Sequence, residues 1–283
     1  MSIKSLLAIP FARKAQKKVY QWAYKPHKTQ QKVLRKLIKK AKNTAFGKNH
    51  NFNQITSYSE FKQQIKISDY EGLRAYIDRV VSGEKDVLWK GKPLYFAKTS
   101  GTTSGAKYIP ITKESMPTHI KAAKEALLCY IAEKNDASFV NGKMIFLQGS
   151  PVLEMLNGIK LGRLSGIVAH YVPQYLLKNR LPSWETNCIE DWDTKVDAIV
   201  KETIDEEMSV ISGIPSWVQM YFEKLINKTG KTISEIFPNF NFFIYGGVNF
   251  EPYKNKFETL IGKKIDYIEL YPASEGFIAF QDS

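Results

Sequence analysis

The 283-residue sequence predicts an α/β fold with a largely parallel sheet. Short apolar runs of strand length alternate with longer segments whose apolar residues recur at helical spacing. Strand-like runs end in glycine turns, as at Gly149-Ser150-Pro151 and Gly246-Gly247. A content of 43% hydrophobic and 13% aromatic residues is ample for a packed core.

The elements read in order as follows. Val33, Leu34, Leu37, Ile38 and Ala41 recur at helical spacing among Lys32, Arg35, Lys36, Lys39, Lys40 and Lys42, which predicts a basic amphipathic helix. Thr44-Ala45-Phe46-Gly47-Lys48 and Asn51-Phe52 read as a loop, and residues 58–65 and 70–81 as short helices. Residues 94–98 form a strand, a glycine-rich loop follows, and residues 115–133 form a helix marked by Ile120, Ala123, Leu127, Leu128 and Ile131. Residues 144–147 read as a buried strand, and the pattern over 163–177 is mixed. The end repeats the alternation: helix 192–204, strand 209–211, helix 217–226, strand 242–245, helix 253–260, then strands 265–270 and 277–280. There is no internal repeat or low-complexity segment.

The net charge of +13 is local. Residues 1–48 hold 14 of the 41 Lys and Arg and no Asp or Glu, which leaves 27 basic against 28 acidic residues in the rest. This arm is expected to be a helix docked by its apolar stripe with its lysines solvated; contact with an anionic membrane or nucleic acid is the other reading. Lysine outnumbers arginine and no nucleic-acid-binding motif accompanies the charge, so no nucleic acid is expected. No apolar run approaches the ~20 residues of a membrane span, and Leu6-Leu7-Ala8-Ile9 is short for a signal peptide. Cys129 and Cys188 lie far apart and belong to no metal-binding cluster, which fits a reducing cytoplasm. A cytoplasmic monomer is expected.

The richest chemistry lies in Lys98-Thr99-Ser100-Gly101-Thr102-Thr103-Ser104-Gly105-Ala106-Lys107. Glycines permit close backbone approach to a phosphate, hydroxyl and N–H groups donate to its oxygens, and the lysine adds positive charge. Gly101 and Gly105 enclose three residues and Tyr108 follows Lys107, so this is not a Walker loop. By itself the segment reads equally as a phosphate cradle or as a linker. Ligands of open α/β sheets bind at the carboxyl ends of strands. Two further loops occupy that position, Gly246-Gly247-Val248-Asn249-Phe250-Glu251-Pro252 and Tyr271-Pro272-Ala273-Ser274-Glu275-Gly276. The aromatic, hydroxyl and carboxylate of the latter suit a nucleotide: ring on adenine, hydroxyl on phosphate, carboxylate on Mg²⁺.

In this order the motifs resemble those of the adenylate-forming superfamily. Residues 99–107 look like its phosphate loop, and Tyr271-Pro272-Ala273-Ser274-Glu275 like its aromatic-x-x-Ser/Thr-Glu motif. Within it the chain most resembles the Gretchen Hagen (auxin-responsive promoter) family of acyl acid amido synthetases. Thr44-Ala45-Phe46-Gly47-Lys48, Tyr58-Ser59-Glu60-Phe61, Gly213-Ile214-Pro215-Ser216-Trp217 and Gly246-Gly247-Val248-Asn249-Phe250-Glu251-Pro252-Tyr253 support this. The resemblance implies the large N-terminal domain of that fold, with mixed, largely parallel sheets flanked by helices. Members are longer, so residues 49–283 are expected to be an incomplete ATP-binding domain without the small C-terminal domain, and residues 1–48 its arm.

It implies ATP and Mg²⁺ as cofactors, and a carboxylic acid and an amino acid as substrates. Thr99, Ser100, Gly101, Thr102, Thr103, Ser104, Gly105 and Lys107 would hold the phosphates. Gly246, Gly247 and Asn249 would line the adenine pocket, with Tyr271 and Ala273 beside the base. Ser274 would meet the α-phosphate and Glu275 the metal, so Ser274, Glu275 and Lys107 are the expected catalytic residues. No side-chain nucleophile is required, and no Gly-x-Ser-x-Gly is present. Ser212, Gly213, Ile214 and Trp217, with Val218 and Met220, either wall the acid pocket or are core packing. His119 is placed to approach the substrate, whereas His27, His50 and His170 lack partners for a metal site, and Asp205-Glu206-Glu207 reads as a solvated run. A CoA ligase shares these motifs, and an inactive nucleotide-binding fragment or a scaffold with a basic arm is the reading from another class.

Overall fold

The computed structural model describes residues 3–99 and 106–282, the side chains of residues 3–6 and 175 excepted. In chain order come α1 (Ile3–Ala23), α2 (Pro26–Ala41), α3 (Ala45–Asn49), α4 (Tyr58–Gln64), α5 (Tyr70–Val81), β1 (Tyr95–Thr99), β2 (Lys107–Ile111), α6 (Met116–Lys134), β3 (Lys143–Phe146), β4 (Glu154–Leu156) and β5 (Ile159–Gly162). There follow α7 (Leu164–Ala169), α8 (Gln174–Leu177), β6 (Arg180–Leu181), α9 (Trp184–Asn187), α10 (Trp192–Thr203), β7 (Met208–Gly213), α11 (Pro215–Thr229), α12 (Ile233–Ile236), β8 (Phe242–Gly246), α13 (Glu251–Ile261), β9 (Asp266–Pro272) and β10 (Phe277–Phe280). The chain divides into two compact units. The larger takes in the chain up to Gln16, His119–Val152 and everything from Ser165; the smaller is Lys17–Thr118 with Leu153–Leu164.

The smaller unit is built on a four-stranded mixed sheet of order β2-β1-β5-β4. β1 runs antiparallel to β2 and parallel to β5, and β4 and β5 form a hairpin. That hairpin turns at Asn157 (φ 49°) and Gly158 (φ 78°), the two positive angles that a tight two-residue turn demands. Val80, Val87, Phe96, Ile159 and Leu161 form its core. Helix starts are written in polar residues: Ser57 and Glu60 make a reciprocal capping box for α4, and the Asp69 side chain accepts the Gly72 N–H at the start of α5. The basic helix α2 buries Ile38 and Ala41 against Phe52 and Ile55, while Val33 and Leu37 remain exposed. Its apolar stripe is thus only partly used. The expected loop at residues 44–48 is instead a turn of helix, α3, capped by the Thr44 hydroxyl.

The larger unit carries a six-stranded sheet of order β10-β9-β8-β7-β3-β6, parallel throughout except for β10. Successive residues along a strand point to opposite faces, and both faces are covered. Ile145, Ile211 and Phe243 meet α10, α11 and α13 through Val196, Phe222 and Phe257. Val210, Phe242, Ile244 and Ile268 meet Ile131 of α6 and Ile9 and Ala12 of α1. Pro215 opens α11 and Gly230 (φ 69°) closes it, while Pro252 and Gly262 (φ 78°) bound α13 in the same way. Among the described residues no helix is long and apolar enough to cross a membrane.

Several elements differ from expectation. The glycine-rich loop joins two antiparallel strands, β1 and β2, and does not lead directly into α6. β2 contains Pro110, which masks it in sequence. β4, β5, β6, α9 and α1 were not expected either; α1 continues through Pro10.

Candidate functional site

Within the larger unit, the loops expected to carry chemistry leave the same edge of one sheet. β7, β8 and β9 are parallel and in register, with Gly213 opposite Tyr245 and Tyr245 opposite Glu269. Their carboxyl ends deliver Ile214, Gly246-Gly247 and Tyr271 side by side, where α/β sheets hold ligands. At Gly246 an added Cβ would lie 2.2 Å from the Leu270 carbonyl oxygen, so any other residue would push β8 away from β9. Asn249 is half committed, since its Oδ1 accepts the Glu251 N–H at 3.1 Å where α13 begins.

Tyr271 belongs to β9, not to the following turn, and is 58% exposed. Ala273 and Gly276 exchange backbone hydrogen bonds of 3.0 and 3.2 Å, which fixes a tight turn with Ser274 and Glu275 at its tip. Ser274 is half-buried and Glu275 exposed. One short segment therefore offers an open aromatic face, a hydroxyl and a carboxylate. Among the described residues no group of three His, Cys, Asp or Glu could hold a metal ion by itself. A single carboxylate fits Mg²⁺, which is usually bound through one or two carboxylates plus substrate phosphates and water.

The four residues expected to wall the acid pocket divide between the faces of the sheet. Ser212 is the register partner of both Phe146 and Ile244, on the face that packs against α6. Ile214, two residues on, continues that side. Gly213 turns towards Leu147 and Val218, and Trp217 on α11 stacks on Trp192 with ring centroids 4.2 Å apart. His119, near the start of α6, is 5% exposed, and its Nδ1 has no hydrogen-bond partner. Burial pushes its pKa below the ordinary imidazole value. His170 is occupied otherwise: its Nε2 lies 2.9 Å from the Pro151 carbonyl and its ring packs edge-on to Trp184.

Two polar residues of this sheet carry no signal in the sequence. Gln148, just beyond β3, and Arg180, on β6, each bury a nitrogen without a partner. Neither belongs to a motif, and their neighbourhood forms only when β6 pairs with β3.

In the smaller unit, Thr99 and Lys107 face one another across β1 and β2 and flank the expected phosphate loop. Ser100, Gly101, Thr102, Thr103, Ser104 and Gly105 lie outside the described residues. The Lys107 ammonium sits 5.3 Å from the centroid of the Tyr70 ring, a cation–π contact, and the Tyr108 N–H donates to Tyr70 Oη at 3.0 Å. Among the described residues no carboxylate pairs with Lys107. Tyr70, the first residue of α5, thus positions the lysine and leaves its charge available. In sequence it is indistinguishable from any aromatic residue at a helix start.

A largely parallel sheet between helix layers, with such loops on its carboxyl edge, is the class of fold seen in adenylate-forming enzymes. A 2-hydroxyisobutyryl-CoA ligase in complex with 2-HIB-AMP and CoA superposes with a TM-score of 0.53 over 87% of this chain and 53% of that one, at 11% identity. The GH3.15 acyl acid amido synthetase superposes with a TM-score of 0.70 over 90% of this chain and 54% of that chain, at 15% identity. Residues 15–187 match the model of the GH3 family N-terminal domain, so the chain belongs to the GH3 family, as its motifs implied. It is 28% identical over 138 residues to a jasmonoyl–L-amino acid synthetase of Nicotiana attenuata, a stretch covering 48% of this chain and 23% of that synthetase. The chain spans about half the length of the synthetase it superposes on.

Proposed function

We propose that this chain is the acid-activating part of an acyl acid amido synthetase. It binds Mg·ATP and a carboxylic acid, and a carboxylate oxygen attacks the α-phosphorus to give an acyl-adenylate and pyrophosphate. An amino acid amine then attacks the acyl carbon, releasing AMP and an N-acyl amino acid. Membership of the GH3 family carries the reading, because relatives that match the chain are amido synthetases. In this reading residues 49–283 belong to the ATP-binding domain, residues 1–48 are its basic arm, and the protein works as a cytoplasmic monomer.

The roles follow from the groups available. The hydroxyls and N–H groups of residues 99–105 donate to phosphate oxygens, and Lys107, held by Tyr70, offsets the charge that develops on them. Tyr271 presents its exposed ring to adenine beside Gly246, Gly247, Asn249 and Ala273. Ser274 donates to the α-phosphate and Glu275 holds the magnesium. Bound there, Mg²⁺ would supply charge neutralisation at the phosphates. Ser212, Gly213, Ile214 and Trp217 belong to the acid pocket. The likeness to the CoA ligase is one of fold and gives no reason to prefer CoA as the acceptor.

ATP–pyrophosphate exchange across a panel of acids tests the reading. Exchange is expected with at least one acid, and Glu275→Ala is expected to abolish the Mg²⁺-dependent exchange while leaving the far-ultraviolet circular dichroism unchanged. Absence of both exchange and an ATP-dependent thermal shift overturns it.

A further inference from the structure

The face of the six-stranded sheet bearing Met144, Val210, Phe242 and Ile268 also carries two side chains, each with a buried nitrogen that has no hydrogen-bond partner. Arg180 on the edge strand β6 is the register partner of Met144, and its guanidinium carbon lies 5.5 Å from the Phe146 ring centroid. Its Nη1 donates to the Ala169 carbonyl at 3.4 Å, at the limit of a hydrogen bond. Its Nε is buried without a partner, and no carboxylate among the described residues pairs with it. Burial pulls its pKa below the ordinary guanidinium value. The side chain is half-buried, and a partly desolvated cation without a counter-charge carries a cost that a bound anion would offset.

Gln148 makes the neighbourhood a site. Phe146 pairs with Ser212, and the Leu147 N–H extends the pairing by donating to the Ser212 carbonyl at 2.8 Å. Strand alternation then puts Gln148 on the same side as Phe146. Its Nε2 is buried and unpartnered, as is Nε of Arg180. Phe146 and Ser212 share a row, Gln148 and Ile214 lie one step nearer the edge, and Arg180, beside Met144 one step back, brings its guanidinium to the Phe146 ring. Together they combine a guanidinium, an amide donor, an aromatic floor and two residues of the expected acid pocket. The group contains no acidic side chain.

Resting on the reading of the chain as an acid-activating enzyme, we propose that Arg180 and Gln148 recognise a second anionic group on the acid. The substrate class is a dicarboxylic acid: one carboxylate is adenylated and the other is held by the guanidinium, with the Gln148 amide as the second donor. Arg180 supplies most of the selectivity, because a charge-assisted bond is roughly twice as strong as a neutral one.

Isothermal titration of the chain with matched acids tests this, in the presence of magnesium and α,β-methylene ATP, which cannot release pyrophosphate. The pairs are butanedioate with butanoate, octanedioate with octanoate, and terephthalate with 4-methylbenzoate. In at least one pair the diacid is expected to bind about tenfold or more tightly. Arg180→Met brings that ratio to about one, and Gln148→Leu lowers it by about threefold. A merely structural role for Arg180 would weaken both acids alike and leave the ratio intact. Should Arg180→Met fail to fold, the wild-type ratios and Gln148→Leu still decide. Ratios near one in all three pairs, with the nucleotide analogue still raising the melting temperature, overturn this inference and leave the proposed function standing. Failure of both acids and analogue to bind overturns both.

Discussion

The two sheets solve the problem of burial differently. In the larger unit Met208–Ile211 and Phe242–Ile244 are buried without interruption, because helices cover both faces of a parallel sheet. In the smaller unit β5 alternates, with Ile159 and Leu161 buried and Lys160 exposed, and in β4 only Leu156 is even partly buried. The difference explains the division of labour. A sheet packed on both sides is a stiff frame on which three adjacent strand ends can hold Gly246, Tyr271 and the Ser274 turn in register. The mixed sheet of the smaller unit has one strand, β4, with little buried, and pairs its first two strands as far as Thr99 and Lys107.

The largest test of that contrast is Phe243→Ala. Phe243 is fully buried, stacks on Phe257 at 5.3 Å and meets Phe250 and Tyr267 edge-on. Its loss is expected to cost about 3–5 kcal/mol in urea unfolding. In the smaller sheet, Ile159→Val is expected to cost about 0.5–1.5 kcal/mol. Equal costs would remove the distinction between the two sheets. Next in size is glycine replacement. Gly246→Ala sets a methyl group against the Leu270 carbonyl and is expected to cost about 1–3 kcal/mol, with loss of ATP binding as β8 and β9 part. Gly158→Ala meets open space, but at φ 78° it carries about 1 kcal/mol of backbone strain and is expected to leave ATP binding intact. Matched denaturation and nucleotide titrations separate the two.

The same contrast governs what could be read from the sequence. β3, β7, β8 and β9 stand out as apolar runs, and the glycine turns after them mark the edge where Tyr271, Ser274 and Glu275 lie. β2, β4 and β5 are too short and too polar to be told from loops, although Asn157-Gly158 is a hairpin signal in its own right. For that reason Lys107 reads in sequence as the end of a loop, whereas it begins a strand and leans on Tyr70. Arg180 and Gln148 were invisible for another reason. Their significance lies in lacking partners, and no local pattern encodes a missing partner.

The smallest effect is expected on the surface of the smaller unit. Arg79 binds Glu84 through two hydrogen bonds, of 2.8 and 2.5 Å, with both side chains more than two-fifths exposed. The pairing holds the Glu84 pKa below the ordinary carboxylate value of 4.5. A depressed carboxylate contributes stability that is present above its unfolded pKa and is lost as pH falls through the folded one. Any difference between wild type and Glu84→Gln should therefore appear near neutral pH and vanish on acidification below 4.5. It should also shrink with salt, because an exposed pair is screened by water and ions. Melting curves at pH 7 are expected to agree within replicate scatter. A clear loss at pH 7 that survives high salt would mean that an exposed ion pair on the smaller unit does what its thin core does not, and would overturn the assignment of its stability to Val80, Phe96 and Leu161.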